Sequence, residues 1–230
     1  MELSPRQITI LSAILRENLK TALPVSSGVL VEKYDLGFSP ATVRNEMMAL
    51  EEAGYIFQPH TSSGRIPAES AWRLWLDIVS DNASERKLSS AEKNIICESL
   101  SGDSLKLSAK ALAEISNLAV YWAFNKRDFY YTGLANLFSQ PELKHLETVY
   151  DVSLAIDKME EVVEGLLENS EFGINTLIGE DNPFGPFLGT TFLKYGQKNR
   201  EAMVGILGPL RLDYGRAMGL LEIISEKINK

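Results

Sequence analysis

Residues 39–67 read SPATVRNEMMALEEAGYIFQPHTSSGRIP, and this stretch decides the fold of the first part of the chain. Ser39 can cap a helix by accepting a backbone N–H bond, and Pro40 suits the first helical position, where no N–H is needed. Gly54 is expected to end this helix, and residues 55–57 are expected to form a short strand. The spacing i, i+4 and i+7 predicts one buried helix face, formed by Val43, Met47 and Leu50.

A β-hairpin is predicted after this helix, with residues 61–65 as its turn and Arg65 at its tip, where it would enter a minor groove or grip a phosphate backbone. Upstream, an apolar stripe over residues 4–18 predicts a first helix. Ser26 can cap a short second helix, and Gly37 allows the positive φ of a tight connector. Helix, short helix, turn, capped helix and hairpin is the element order of a winged helix-turn-helix.

The capped helix offers amide, hydroxyl and guanidinium groups of the kind that read base edges. Arg can pair with guanine and Asn with adenine, so Thr42, Arg44 and Asn45 are predicted to contact bases in the major groove. Ser39 and Thr61 are expected to reach phosphates. The full set of predicted DNA-binding residues is Ser39, Thr42, Arg44, Asn45, Thr61, Ser62, Ser63 and Arg65. One alternative stays open, namely that the first-turn polar residues only cap the helix.

The charge of the chain argues against strong non-specific attraction to nucleic acid. The formal net charge is −8, and even residues 1–80 contain more acidic than basic side chains. Binding would therefore depend on base contacts and on two copies placed on a two-fold site. The same composition would also suit a winged-helix protein that binds other proteins and has no affinity for DNA.

Length and composition predict a cytoplasmic regulator. At 230 residues, two modest domains are expected. No apolar run approaches the roughly 18 residues of a membrane span, and no signal peptide opens the sequence. The single cysteine, Cys97, is expected to be buried and suits a reducing compartment.

The remainder of the chain predicts a helical segment and then an α+β part. Residues 90–125 are expected to form two helices because apolar residues recur at helical spacing between Leu105 and Trp122. This pair is predicted either to form a dimer contact or to pack inside the molecule. Strands are expected at 129–132, 173–179, 187–195 and 202–207. Residues 141–169 are expected to be helical with a break near Asp157, and Asp213 to cap a final helix.

No group of residues predicts catalysis or metal binding. Glu180 and Asp181 have no partner at a useful spacing for acid–base chemistry. His60 and His145 lack cysteine or carboxylate neighbours at the spacing of metal ligands. The sequence therefore predicts a protein that is not an enzyme and needs no cofactor.

Two parts of the chain resemble a known family. The run PVSSGVLVEKYDLGFSPATVRNEMMALEEAGYIFQPHTSSGRIP, residues 24–67, resembles the N-terminal domain of the heat-inducible transcription repressor HrcA family. INTLIGEDNPFG and EAMVGILGPLRLDYGRAMGLLEIISEKI are similar to the family's C-terminal region, and TGLANLFSQPEL resembles the segment that leads into it. The resemblance covers residues 1 to 80 and 130 to 230, approximately.

The resemblance implies a helix-rich α+β chain in three parts. These are a winged helix-turn-helix DNA-binding domain (1–80), a helical linker or dimerisation segment (81–128) and a reduced GAF-like domain (129–230). Members of the family are usually longer, with further strands and an inserted dimerising domain. Residues 81–128 are too few to hold them, so the chain resembles a shortened member.

The family resemblance also implies a function. It predicts a repressor of chaperone genes that binds an inverted-repeat operator in double-stranded DNA as a homodimer, with activity tuned by chaperonin and temperature. A GPxRxDY motif is carried by Gly208, Pro209, Arg211, Asp213 and Tyr214. Its polar residues could line a small-molecule pocket, but a helix cap, an ion pair and a packed ring are the favoured interpretation. A ligand-gated regulator and a protein-interaction module are the alternatives.

Overall fold

The computed structural model describes residues 3–61, 63–101, 104–125, 128–144, 146–197 and 200–228. The chain divides into two units, called here unit 1 (Met1–Asp81) and unit 2 (Asn82–Lys230). Both units combine helices with a sheet, so the prediction of a mixed α+β chain is confirmed. Within the described residues, no helix is both long enough and apolar enough to cross a membrane.

Unit 1 places three capped helices before a small antiparallel sheet and a fourth helix after it. Its elements are α1 (Pro5–Thr21), α2 (Ser27–Lys33), α3 (Pro40–Glu52), β1 (Ile56–Phe57), β2 (Ile66–Pro67) and α4 (Glu69–Asp81). The side chains of Ser4, Ser26 and Ser39 each accept a backbone N–H at the start of a helix. Gly37 has φ of +68°, which makes the tight connection before α3 as predicted.

The core of unit 1 is formed by one face from each of its helices and by β1. Its fully buried side chains include Ile10, Leu11, Ile14, Leu15, Leu30, Val43, Leu50, Ile56, Trp72 and Trp75. Burying a side chain of this size contributes roughly 1.5–3 kcal/mol. The guanidinium of Arg16 lies 5.3 Å from the centre of the Trp75 ring and so covers the tryptophan from α1. The buried face that the sequence predicted for α3 is confirmed.

Unit 2 is built around a five-stranded antiparallel sheet in the order β4-β3-β7-β6-β5. Its helices are α5 (Ser90–Leu100), α6 (Leu105–Ser116), α7 (Leu134–Phe138), α8 (Leu146–Asp157), α9 (Met159–Asn169) and α10 (Tyr214–Ile228). Its strands are β3 (Ala119–Asn125), β4 (Asp128–Thr132), β5 (Gly173–Ile178), β6 (Leu188–Gln197) and β7 (Arg200–Pro209). Helices cover both faces of the sheet, with α7 and α9 on one face and α6 and α10 on the other.

The inner strand β3, between β4 and β7, sends successive side chains to opposite faces of this sheet. Tyr121 is buried with α7 and α9, and its ring lies against Gly205 of β7, where an added Cβ would be 2.1 Å from the ring carbon Cζ. Trp122 on the opposite face is fully buried and donates its Nε1–H to the Tyr195 hydroxyl at 2.8 Å. The sheet therefore needs a glycine at residue 205.

Most of the elements predicted for the second part of the chain are confirmed. Strands occur at the four predicted places, and the helical stretch breaks at Lys158, next to the predicted position. The prediction that the helix after Leu105 continues to Asn125 was wrong. The helix ends at Asn117, which has φ of +54°, and residues 119–125 form β3. A strand buried on both faces is uniformly apolar, so its pattern does not differ from that of a buried helix.

Cys97 also differs from its prediction. It was expected to be buried, but it lies partly exposed on α5. Its neighbour Ile96 takes the buried position of that helix turn instead. The apolar residues around Cys97 are therefore explained by the burial of Ile96 and not by burial of the cysteine.

Candidate nucleic-acid interface

Two hydroxyls hold the N-terminus of α3. The Ser39 Oγ accepts the backbone N–H of Thr42 at 3.1 Å, and the two side-chain oxygens lie 2.9 Å apart. Pro40 occupies the first helical turn between them. The Ser39 hydroxyl therefore caps the helix, and the Thr42 hydroxyl contacts the capping oxygen.

The outer side of α3 carries an exposed stripe, defined as Ala41, Arg44, Asn45 and Met48, at i, i+3, i+4 and i+7. All four residues are exposed, whereas the opposite side of the helix is buried. In the part of the chain that the structure describes, the side chains of Arg44 and Asn45 make no hydrogen bond or ion pair. Neither side chain is needed for the cap, so both are available to contact a ligand.

Two of the three acidic side chains of α3, Glu46 and Glu51, have basic partners. Arg6 of α1 contacts the Glu46 carboxylate at 3.2 Å, and Arg65 contacts Glu51 at 2.9 Å. These pairs neutralise negative charge beside the exposed stripe. The acidic balance of residues 1–80 is therefore partly offset at α3.

The tip of the hairpin between β1 and β2 is organised by Ser63. Its hydroxyl donates to the carbonyl of His60 at 2.6 Å, and its carbonyl accepts from the Gln58 side chain at 3.0 Å. Thr61 lies exposed at this tip. Ser62, another predicted DNA-binding residue, lies outside the described residues. The hydroxyl of Ser63 is thus engaged in shaping the turn, whereas Thr61 is open to solvent.

Arg65 lies at the base of the hairpin turn, immediately before β2, so its predicted position at the tip was wrong. Its backbone exchanges two hydrogen bonds with Val25, both at 2.8 Å, and its Nε donates to the Glu51 carboxylate. The preceding glycine makes this approach possible, because a Cβ on Gly64 would lie 2.5 Å from the Val25 carbonyl. The chain before α2 and the base of the hairpin are therefore held together.

This contact creates a hollow of about 300 Å³ between the start of α2, α3 and the hairpin. Of the predicted DNA-binding residues, Arg44, Ser63 and Arg65 line it, together with Ser26 and Ser27 of α2. Ser39, Asn45 and Thr61 are not among the described residues that line it. The structure thus brings three of the eight predicted residues, Arg44, Ser63 and Arg65, to one concave surface.

A buried carboxylate fixes α2 against α1. Lys33 donates to one oxygen of Glu17 at 2.5 Å, and the Tyr34 hydroxyl donates to the other at 3.2 Å. The hydrogen bond from Lys33 holds the pKa of the Glu17 carboxyl below its usual range, although burial opposes this. Burial, with the nearby carboxylate, raises the pKa of Tyr34. The sequence analysis missed this network, because its partners come from separate helices.

In unit 2, the polar residues of the GPxRxDY motif make structural contacts. Arg211 forms an ion pair with Glu142 and donates to the Gln140 amide oxygen at 2.8 Å. Asp213 accepts the backbone N–H of Arg216 at 3.0 Å at the start of α10, and burial raises its pKa. The Tyr214 ring is fully buried. The favoured interpretation, an ion pair, a helix cap and a packed ring, is confirmed.

A small cavity beside Asp213 bears on the alternative of a ligand pocket. It is lined by Ser116, Asp213, Arg216 and neighbouring apolar side chains, and its volume is about 20 Å³. A cavity of that size holds about one water molecule. It does not accommodate a metabolite in this conformation.

Comparison with known proteins identifies relatives for both units. Residues 66–218 match the sequence model described as HrcA protein C terminal domain. The heat-inducible transcription repressor HrcA of a Nocardioides species is 42% identical over 116 residues, which are 48% of this chain and 34% of the relative. The HrcA of Thermobifida fusca is 47% identical over 100 residues, 44% of this chain and 28% of the relative. The chain thus spans about a third of these two relatives.

A third relative aligns along nearly its whole length. The HrcA of Carboxydothermus hydrogenoformans is 25% identical over 336 positions, which include 98% of this chain and 97% of the relative. This chain has 230 residues, so at least 106 of the 336 aligned positions have no counterpart in it. A crystal structure described as a hypothetical protein shares the fold, with a TM-score of 0.80, 20% identity and coverage of 99% of this chain and 98% of that one.

Proposed function

The chain belongs to the HrcA family, and we propose that it is a DNA-binding transcriptional repressor of heat-shock genes. The observation that carries the proposal is the exposed stripe of α3, in which Arg44 and Asn45 lie on a capped helix without partners among the described residues. A helix with this exposed set can enter the major groove and read base edges.

Unit 1 is proposed to be a winged helix-turn-helix. Three helices followed by a two-stranded hairpin support this assignment, with α3 as the recognition helix and residues 58–63 as the tip of the wing. Unit 2 is proposed to be a reduced GAF-like domain, supported by its antiparallel sheet with helices on both faces. The three-part division into 1–80, 81–128 and 129–230 stays a prediction.

The predicted DNA-binding residues take different proposed roles. Arg44 and Asn45 read bases, and Thr42 stands beside them on the first turn. Ser39 and Thr61 are exposed at the cap and at the hairpin tip, where hydroxyls reach phosphates. Ser63 and Arg65 shape the hairpin that would approach the DNA, and Ser62 is kept in the proposed set on the sequence alone.

The assembly and its regulation follow the family. A homodimer would place two copies of α3 on the half-sites of an inverted repeat, since operator symmetry mirrors protein symmetry. Dependence on chaperonin and temperature, and a cytoplasmic location, are proposed from the family alone. The relatives are named as transcription repressors, so neither an enzyme nor the two alternative regulator classes is favoured.

The test is a fluorescence anisotropy titration of an inverted-repeat operator duplex from a chaperone operon, with a scrambled duplex as the comparison. The full chain should bind the operator selectively at moderate salt, and chaperonin should raise the active fraction. Arg44→Ala should lose discrimination between the two duplexes. Lys110→Ala removes an exposed positive charge from α6 and should change neither affinity. Equal weak binding of both duplexes by folded protein would refute the repressor assignment.

A further inference from the structure

Met48 is an apolar side chain in an unusual place. It is 50% exposed, whereas the other large apolar residues of α3 are buried: Val43, Met47 and Leu50. Its position is set by the helix, because Met48 follows Arg44 by one turn on the exposed stripe. The buried face of α3 is complete without it.

The spacing of the stripe matches the way recognition helices meet DNA. Such helices contact bases through side chains at i, i+3, i+4 and i+7, which is the spacing of Ala41, Arg44, Asn45 and Met48. Arg44 and Asn45 supply hydrogen-bonding groups for guanine and adenine. The Met48 thioether is only a weak hydrogen-bond acceptor, so an apolar contact is what this side chain can add to the same surface.

The major groove offers one apolar group for such a contact, the C5 methyl of thymine. A methionine side chain suits it, because the thioether is flexible and polarisable. With a helical rise of about 1.5 Å per residue, Met48 lies about 4.5 Å along the helix from Asn45, a little more than one base step. The thymine would therefore lie within about two base pairs of the bases that Arg44 and Asn45 contact.

We propose that Met48 determines operator specificity by packing against a thymine methyl group in each half-site. This inference rests on the proposed function, since it assigns a further residue to the same DNA-reading surface. The proposed contact involves the methyl group of a thymine, which Arg44 and Asn45 do not recognise. Removing one methyl group from such a contact costs about fourfold in affinity for each half-site.

The experiment replaces thymine by uracil, which keeps every hydrogen-bonding atom and removes only the methyl group. An inverted-repeat duplex is first selected by the full chain from a randomised pool. Each thymine is then replaced by deoxyuridine, symmetrically in both half-sites, and affinity is measured by anisotropy. The variants are Met48→Ala, Met48→Leu as the conservative replacement, and Leu23→Ala as the control. Leu23 is 63% exposed but lies outside α3.

The wild-type chain should lose about fourfold in affinity per half-site at one thymine position. Met48→Leu and Leu23→Ala should keep that sensitivity, and Met48→Ala should lose it while its circular dichroism spectrum stays that of the wild type. Selective operator binding with no sensitive thymine, or with the same sensitivity in Met48→Ala, would overturn the role of Met48 alone. Failure to select any duplex would overturn the repressor assignment, and this inference with it.

Discussion

Arg65 and Glu51 join the base of the hairpin to the last turn of α3, with the arginine Nε 2.9 Å from a carboxylate oxygen. Both side chains are partly buried, at 19% and 32% exposure. The backbone of Arg65 is paired with Val25 at the same place. One residue therefore connects the helix that carries the exposed stripe, the hairpin and the start of α2.

The Arg65–Glu51 pair is predicted to contribute modestly to stability. Partly exposed ion pairs contribute at most about 1 kcal/mol, so Arg65→Met and Glu51→Gln should each lower the free energy of unfolding by about that amount. The double variant should lose less than the sum of the two, as expected for residues in contact. Urea denaturation of all four proteins gives the coupling energy. Strictly additive losses would show that the pair makes no contribution.

Gly64→Ala is predicted to displace the hairpin. The added Cβ would overlap the Val25 backbone, and relieving such an overlap costs about 1–3 kcal/mol. Gly28→Ala is the matched control, because the nearest atom to its added Cβ is 3.8 Å away and alanine favours a helix by about 0.5–1 kcal/mol. The urea concentration at the unfolding midpoint should therefore fall for Gly64→Ala and rise for Gly28→Ala. Hydrogen exchange of the β1 and β2 amides should rise in Gly64→Ala only.

Two substitutions of Ser39 distinguish its role as a helix cap from its proposed contact with a phosphate. Ser39→Ala should lose about 1 kcal/mol of stability with the cap, whereas Ser39→Asp should keep the cap because aspartate also accepts the N–H bond. If Ser39 lies near a phosphate, the aspartate variant should bind operator more weakly, and most clearly at low salt. Thermal denaturation measures the loss of the cap, and fluorescence anisotropy measures the affinity for the operator. Unchanged affinity in Ser39→Asp would limit Ser39 to the cap.

The stability of unit 1 is predicted to fall in acid through Glu17. Its pKa in the folded protein is lowered from the ordinary value of 4.5, chiefly by the hydrogen bond from Lys33. The stabilisation is therefore complete above about pH 5 to 6 and is lost as the pH falls through the folded pKa. Glu17→Gln should be less stable than wild type at pH 7 by about 1.5–3 kcal/mol. The difference between the two proteins should shrink below pH 4.5.

Chemical denaturation followed by circular dichroism at several pH values measures this difference. Glu226→Gln, which removes an exposed carboxylate on α10, serves as the control and should follow the wild-type profile. A constant gap between wild type and Glu17→Gln from pH 7 to pH 3 would contradict the assignment to Glu17.

Local signals in the sequence were sufficient to predict α3, its cap and its buried face. Its cap, its proline and its i, i+4, i+7 face all belong to one short segment, and the structure has them as predicted. β3 was not predictable in this way, because Tyr121 and Trp122 are both buried although they point to opposite faces. Periodicity identifies an element only when one of its sides faces water.

In the candidate site, the residues on α3 were predictable from the sequence, whereas the position of Arg65 was not. Arg44 and Asn45 lie on the exposed face that helical spacing gives them. The location of Arg65 depends on Val25, from a segment far away in the chain, and on the small size of Gly64. The exposure of Met48 follows from the helical spacing, but its significance needed the exposed stripe as a whole.

The position of β3 between β4 and β7 also affects the order in which the sheet can form during synthesis. β3 and β4 form a hairpin and can pair as soon as they leave the ribosome, whereas the other side of β3 waits for β7. A nascent chain that stops before Arg200 therefore carries an apolar strand with one open edge, the condition under which intermediates aggregate. Slow translation between these strands would prolong that exposure, so the rate of synthesis itself bears on how much of the protein reaches its folded state.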